Sequence, residues 1–203
     1  MSGVIDLQKR ALILASSSPR RRELLAHLGI PFTVVVPAIE EKKRPDEGIL
    51  AYVQRNAKEK ACAALALAAE PQNTLVIGAD TIGWFQEHLL EKPRDEADAA
   101  AMLSLLSGQT HEVLTAVAVV RHAARGQEVW EKLVSTKVRF KTLSASDIDY
   151  YVRTGEPLDK AGSYGIQGIG GFMVQAIEGS YSNVVGLPLV ELTELLQTAL
   201  TCP

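Results

Sequence analysis

Three consecutive arginines stand directly behind a serine run and a proline in "LASSSPRRRELL", Leu14 to Leu25. Arginine presents a planar fork of N–H donors matched to phosphate oxygens, and serine adds hydroxyls. Ser18 before Pro19 reads as a helix start, a capping hydroxyl followed by proline at the first helical position. Arg20, Arg21 and Arg22 therefore fall in or beside the first turn. Aligned peptide dipoles leave partial positive charge there, so each cation costs on the order of 0.3–1 kcal/mol. A bound phosphate turns that cost into a gain, because the free backbone N–H groups of a helix start already attract anions. The competing reading is that the arginines spread into water and pair with Glu23 or other acids.

Asp80 is the second candidate, placed directly after the apolar run Leu75 to Ala79. In α/β sheets ligands gather beyond the carboxyl ends of strands, and the Ser-Arg turn also follows such an end. Two parallel strands would then set an acid opposite a basic phosphate cradle. An aspartate so placed can hold a divalent ion, which binds carboxylate and phosphate oxygens together; it can equally be a plain cap or turn residue. Glu40 and Glu41 can add a carboxylate, although they precede Lys-Lys-Arg and read also as solvated surface. Lys60 and Lys92 can neutralise phosphate. The glycine-rich "AGSYGIQGIGG" lets backbone approach a ligand, with Tyr164 stacking and Gln167 bonding a base edge, or is a surface loop.

Several chemistries lose support. There is no G-x-x-x-x-G-K-[ST] and no G-x-G-x-x-G behind a strand, and the four histidines form no H-E-x-x-H. No serine sits in G-x-S-x-G. Zinc hydrolysis and acyl-enzyme chemistry are disfavoured.

The elements that position these residues follow from local pattern. The run Ala11 to Ala15 predicts a strand, Ser18–Pro19 a helix, "FTVVV" (Phe32 to Val36) a strand, and Ile49 to Ala69 an alanine-rich helix carrying Lys58 and Lys60. Leu75 to Ala79 reads as a strand buried on both faces. "TIGWFQEHLLEKP" is compatible with a hairpin whose turn chemistry is weak. Asp95 caps a helix closed by Gly108. Strands are expected over Leu114 to Val120 and Val134 to Thr142. In the second, Val134, Thr136, Val138 and Phe140 alternate with a wet face. Ser144 and Asp147 form a capping box for a helix ending near Gly155. "GSYSNVVGLP" reads as the approach to a strand, followed by a last helix from about Leu189. Helices alternating with strands give an α/β class.

The 203 residues, 47% hydrophobic and 22% charged, suit one large domain or two intimate lobes of a globular enzyme. A net charge of -3 argues against nucleic-acid binding, so any anion site must be local. Cys62 and Cys202 form no ligand cluster and read as reduced thiols. No apolar run approaches the roughly 18 residues of a membrane span, and the five-residue run after Arg10 is too short for a signal peptide. A cytoplasmic protein is expected.

Together, "LASSSPRRRELL", "GADT", "EKP", "LSGQTHEVLTAVAVV", "DKAGSYGIQGIGGF" and "GSYSNVVGLPL" resemble the Maf family of nucleoside triphosphate pyrophosphatases across nearly the whole chain. The "DKAGSYGIQG" block is similar to the branch acting on dTTP and UTP. The resemblance implies one Maf-like domain over residues 1–203, with two lobes and an elongated mixed sheet flanked by helices around a central nucleotide cleft. That architecture is shared with inosine-triphosphate pyrophosphatases. It also implies a Mg²⁺ or Mn²⁺ ion, held by Asp80 and Glu41, and a homodimer. By motif, Asp80 matches the acidic catalytic residue. Arg20, Thr81 and Gln167 match positions of substrate choice, and Ser16, Glu41, Lys60 and Lys92 match polar positions of the cleft. Ala116 and Gly83-Trp84-Phe85 depart from the family pattern, which bears on selectivity more than on activity.

The implied reaction is water attack on the α-phosphorus with release of pyrophosphate. A free aspartate titrates near 3.9 and is a weak base at neutral pH, so metal ligation or water orientation stands beside proton abstraction for Asp80. Two other functions remain open: a non-hydrolytic nucleotide-binding regulator of septum formation, and a purine, ITP-type house-cleaning pyrophosphatase.

Overall fold

The structure, a computed structural model, describes residues 5–124 and 126–202, so the ends of the expected 1–203 domain lie outside the described residues. Among the described residues, seven strands and six α-helices build an α/β fold. Its sheet runs β2-β1-β3-β5-β6-β7, with β4 paired to β3 off that path. The chain divides into two compact units. The first comprises Met1–Asp80, Thr115–Val134 and Gly186–Pro203, and the second Thr81–Leu114 and Ser135–Val185.

In the first unit, β1 (Ala11–Leu14) pairs in parallel with both β2 (Thr33–Val34) and β3 (Thr74–Phe85). The unbroken apolar run of β3 is buried from Thr74 to Asp80, as expected of a strand covered on both faces. Helix α2 (Ile49–Ala66) covers it, and Ile13, Ala61, Ala64, Leu65, Val76 and Val120 make a common core. Gly78 sets the depth of that packing: a Cβ there would lie 2.1 Å from the Ala57 carbonyl oxygen. Only a residue without a side chain lets α2 sit this close to β3.

Two expectations are corrected here. The "FTVVV" strand shrinks to two residues, because exposed Val34 and Val36 lie on an edge and Pro37 cannot extend a ladder. Asp80 does not follow the end of its strand; β3 continues through it to Phe85. The continuation has its own partner, β4 (His88–Leu90), through an antiparallel hairpin with Gly83 opposite Leu90. The hairpin turn is made by Gln86 and Glu87 at φ 46° and 64°. Neither is glycine, which is why the turn reads weakly in sequence.

In the second unit, α3 (Glu96–Leu106) starts where Asp95 accepts from the Asp98 N–H, and Gly108 leaves it at φ 69°. Strands β5 (Thr110–Ala123) and β6 (Gly126–Phe140) both run longer than expected and pass through both units. The alternation of β6 holds: Thr136, Val138 and Phe140 are buried between exposed Ser135, Lys137 and Arg139. Helix α4 (Ala145–Val152) carries the expected capping box, and β7 (Val174–Glu178) pairs antiparallel with β6. The "GSYSNVV" segment is corrected from strand to helix, α5 (Tyr181–Val185). Gly179, at φ 128°, turns the chain out of β7, and the Ser180 hydroxyl accepts from the Asn183 N–H at 3.2 Å. Phe85, Leu90, Leu103, Phe140, Tyr151 and Met173 belong to the core of this unit.

The last helix, α6 (Leu189–Thr201), belongs to the first unit and starts where expected. Both cysteines are free. Among the described residues no helix is long and apolar enough to cross a membrane.

Candidate active site

The site begins where β1 stops. The Ala15 N–H still bonds the Ile77 carbonyl at 2.8 Å, and the chain then turns through three serines into α1 (Pro19–Ala26). Ser16 is buried and its hydroxyl accepts from the Ser18 N–H at 3.2 Å. Ser18 caps α1 by accepting from the Arg21 N–H at 3.4 Å. The arginine triplet then divides. Arg22 is exposed and Arg20 and Arg21 are half-buried, but the Arg21 guanidinium turns inward. Its Nη1 donates to the Ala79 carbonyl at 2.8 Å and to Ser16 Oγ at 3.4 Å, and its Nε to the Gly186 carbonyl at 2.8 Å. Burial lowers the Arg21 pKa, Asp80 and Glu41 push it back up, and Arg20 lowers it further. Arg21 thus ties the first turn of α1 to β3 one residue before Asp80, so the middle arginine of the triplet is part of the fold rather than spread into water.

Asp80 is buried and both of its oxygens are engaged. Lys60 Nζ donates to Oδ1 at 2.8 Å and Asn56 Nδ2 to Oδ2 at 3.0 Å. The Lys60 ammonium also donates to Glu41 Oε2 at 2.6 Å, bridging the two acids. Tyr52, Asn56 and Lys60 recur every fourth residue along α2, one stripe of a helix, and the close approach at Gly78 brings that stripe to β3. The Asn56 amide oxygen is buried and has no hydrogen-bond partner among the described residues. Glu41 is half-exposed, so one of its faces remains open to solvent or ligand.

Ser16, Glu41, Lys60 and Asp80 are therefore gathered in the first unit, with Arg20 on the helix that starts beside them. Thr81, Lys92 and Gln167 belong to the second unit. Thr81 follows Asp80 on β3, facing the other side of the sheet, and is half-buried; Lys92 is exposed behind β4 and Gln167 in a turn. Tyr164 is corrected from a stacking residue to a core residue. It is 7% exposed, bonded through its hydroxyl to His111 Nε2 at 2.9 Å and set edge-on to Phe140. Sequence reasoning missed Asn56 and the inward role of Arg21. The polar 52-56-60 stripe inside an alanine-rich helix was the available signal for Asn56.

A divalent ion suits these donors in one form. No three His, Cys, Asp or Glu side chains gather among the described residues. Asp80 and Glu41 supply two carboxylates, and the unpartnered Asn56 Oδ1 is another hard oxygen beside them. Magnesium-like ions are held in this way, by one or two carboxylates with water and substrate phosphates completing the shell.

The profile of the Maf-like protein family matches residues 11–199. Among curated proteins, the chain is 58% identical over 185 residues to a dTTP/UTP pyrophosphatase of Salmonella typhimurium strain LT2, covering 91% of each. It is 55% identical over 186 residues to one of Escherichia coli O6:K15:H31, covering 92% of this chain and 91% of the relative. A Yersinia pestis bv. Antiqua protein of the same name is 54% identical over the same length and shares of each chain. With the profile matching most of the chain and these relatives covering more than nine-tenths of it, the chain belongs to the Maf family.

Proposed function

We propose that the chain is a nucleoside triphosphate pyrophosphatase that hydrolyses dTTP and UTP to the monophosphate and pyrophosphate. The observation that carries this reading is the Asp80–Lys60–Glu41 cluster beside the start of α1. Its relatives, named dTTP/UTP pyrophosphatases, support the choice of base.

Phosphoryl transfer needs positioning and charge neutralisation more than covalent help. The triphosphate docks on the first turn of α1, where the helix dipole, Arg20 and Lys60 offset its charge. Water attacks the α-phosphorus, the bridging bond to the β-phosphate breaks, and pyrophosphate leaves. Asp80, fixed by Lys60 and Asn56, orients that water or takes its proton. When bound, a Mg²⁺ or Mn²⁺ ion on Asp80 and Glu41 would supply further neutralisation of the phosphate oxygens. Ser16 adds a hydroxyl to the turn before α1, and the family resemblance assigns Arg20, Thr81 and Gln167 to substrate choice. A cytoplasmic homodimer completes the proposal.

The test is pyrophosphate released from dTTP, UTP, ITP and 7-methyl-GTP, with and without divalent ion. Release from dTTP and UTP, dependent on the ion, is expected. Release confined to ITP would favour the purine house-cleaning reading, and dTTP binding without pyrophosphate would favour the regulator.

A further inference from the structure

Glu41 lies in residues 35–48, a connection without helix or strand between β2 and α2. Such a stretch does not hold a carboxylate in place unaided, since ordering each backbone residue costs roughly 1–2 kcal/mol. Here its neighbours along the chain, Glu40 and Lys42, are exposed. The ordering comes instead from α2. Arg55 grips Glu47 with two bonds, Nε to Oε1 at 2.6 Å and Nη2 to Oε2 at 2.9 Å. Its Nη2 also donates to the Lys42 carbonyl at 2.9 Å, and Tyr52 donates its hydroxyl to the Glu41 carbonyl at 3.1 Å. Nη1 is taken up by Glu59 at 2.9 Å. The backbone is therefore pinned at Glu41 itself and at the next residue.

This grip differs from ordinary surface pairing. The Arg55 and Glu47 side chains are only 14% and 9% exposed, whereas the Arg44–Glu59 pair is 65% and 37% exposed. A bidentate, shielded pair keeps its strength, while an exposed one contributes little. The Arg55 hydrogen bonds, helped by the Arg44 N–H, lower the Glu47 pKa to about 2, so the grip stays charged at any physiological pH.

We infer that Arg55, with Glu47 and Tyr52, is the positioning clamp of Glu41, presenting its carboxylate to Lys60 beside Asp80. The inference rests on the proposed role of that cluster and adds a residue that does not touch the substrate. Arg55 acts through Glu41, so its loss acts only while Glu41 has a carboxylate to misplace.

The experiment is a double-mutant cycle between Arg55→Gln and Glu41→Gln, read by kcat and KM for pyrophosphate release from dTTP and by hydrogen exchange over residues 36–48. Arg55→Gln is expected to lower kcat by about 10-fold or more and to speed amide exchange in the loop. Arg55→Lys, which keeps the charge but not the fork, is expected to fall between it and the parent. In the Glu41→Gln background, Arg55→Gln is expected to change kcat by less than about 2-fold. Equal losses in both backgrounds, or full kcat despite a loosened loop, would overturn the inference. So would a Glu41→Gln variant of normal kcat. That last result leaves the proposed function standing as long as the parent chain releases pyrophosphate from dTTP, whereas a parent chain that releases none removes the function reading itself. Should Arg55→Gln not fold, Glu47→Gln cuts the same grip from the loop side and is read in the same way.

Discussion

Asp80 in the first unit and Glu156 in the second are both inward-turned carboxylates, but different kinds of donor hold them. Asp80 is bonded by two side chains, Lys60 and Asn56. Glu156 is bonded by the Ile169 N–H at 2.9 Å, the Gly170 N–H at 3.2 Å and the Tyr151 hydroxyl at 2.9 Å. Its loop is folded tightly around it: a Cβ on Gly168 would lie 2.4 Å from Oε2. Desolvation pushes the Glu156 pKa up, but the two amides, Tyr151 and Lys160 outweigh it and the net shift is downward. Side-chain donors can swing toward an arriving phosphate and return. Backbone donors cannot leave without unfolding the loop. The first arrangement suits exchange of partners during a reaction, and the second suits permanent structure.

Substitutions can break this contrast at either end. Asp80→Asn is expected to lower kcat for dTTP by about 1,000-fold, near 4 kcal/mol of transition-state stabilisation, far more than any fall in the folded fraction accounts for at assay temperature. Pyrophosphate release and calorimetry on one preparation check it. An intermediate effect comes from acid, and it belongs to the second unit. Burial lowers the His111 pKa from 6.5 to about 4. The unfolded chain therefore takes up a proton near pH 6.5 that the folded chain refuses until about 4. Stability is unaffected above that window and falls as pH drops through it, by about 3 kcal/mol at the lower end. Thermal unfolding between pH 7 and 4 should show this slope, and His111→Gln should flatten it. The smallest effect is that of Glu156→Gln, whose single amide oxygen cannot serve three donors. A loss of about 2 kcal/mol in urea denaturation is expected.

Features fixed by neighbouring residues were legible in the sequence. Ser18–Pro19 starts α1, Asp95 starts α3, Ser144 with Asp147 starts α4, and the alternation of β6 assigns its two faces. Features fixed by distant partners were not. Asp80 lies within β3 because β4 folds back to prolong the ladder, and two non-glycine residues at positive φ hide that turn. Tyr164 sits in a stretch that reads as a ligand loop until His111 and Phe140 enclose it. Arg21 looks like its two neighbours in the sequence. The carbonyls of Ala79 and Gly186, far along the chain, draw it inward. Asp80, Lys60 and Glu41 were each legible as candidates, while the ammonium bridge joining them depends on the close packing at Gly78.

The proposed reaction places the triphosphate at the Asp80 cluster. The most direct measurement is a crystal structure of the chain with a dTTP analogue whose α–β bridge cannot be hydrolysed, in the presence of Mg²⁺. The expected result places phosphate oxygens on the first turn of α1 and within hydrogen-bonding distance of Arg20 and Lys60, with the α-phosphorus facing Asp80. An analogue bound elsewhere, with Asp80 still closed on Lys60 and Asn56 and the turn of α1 bare, would contradict it.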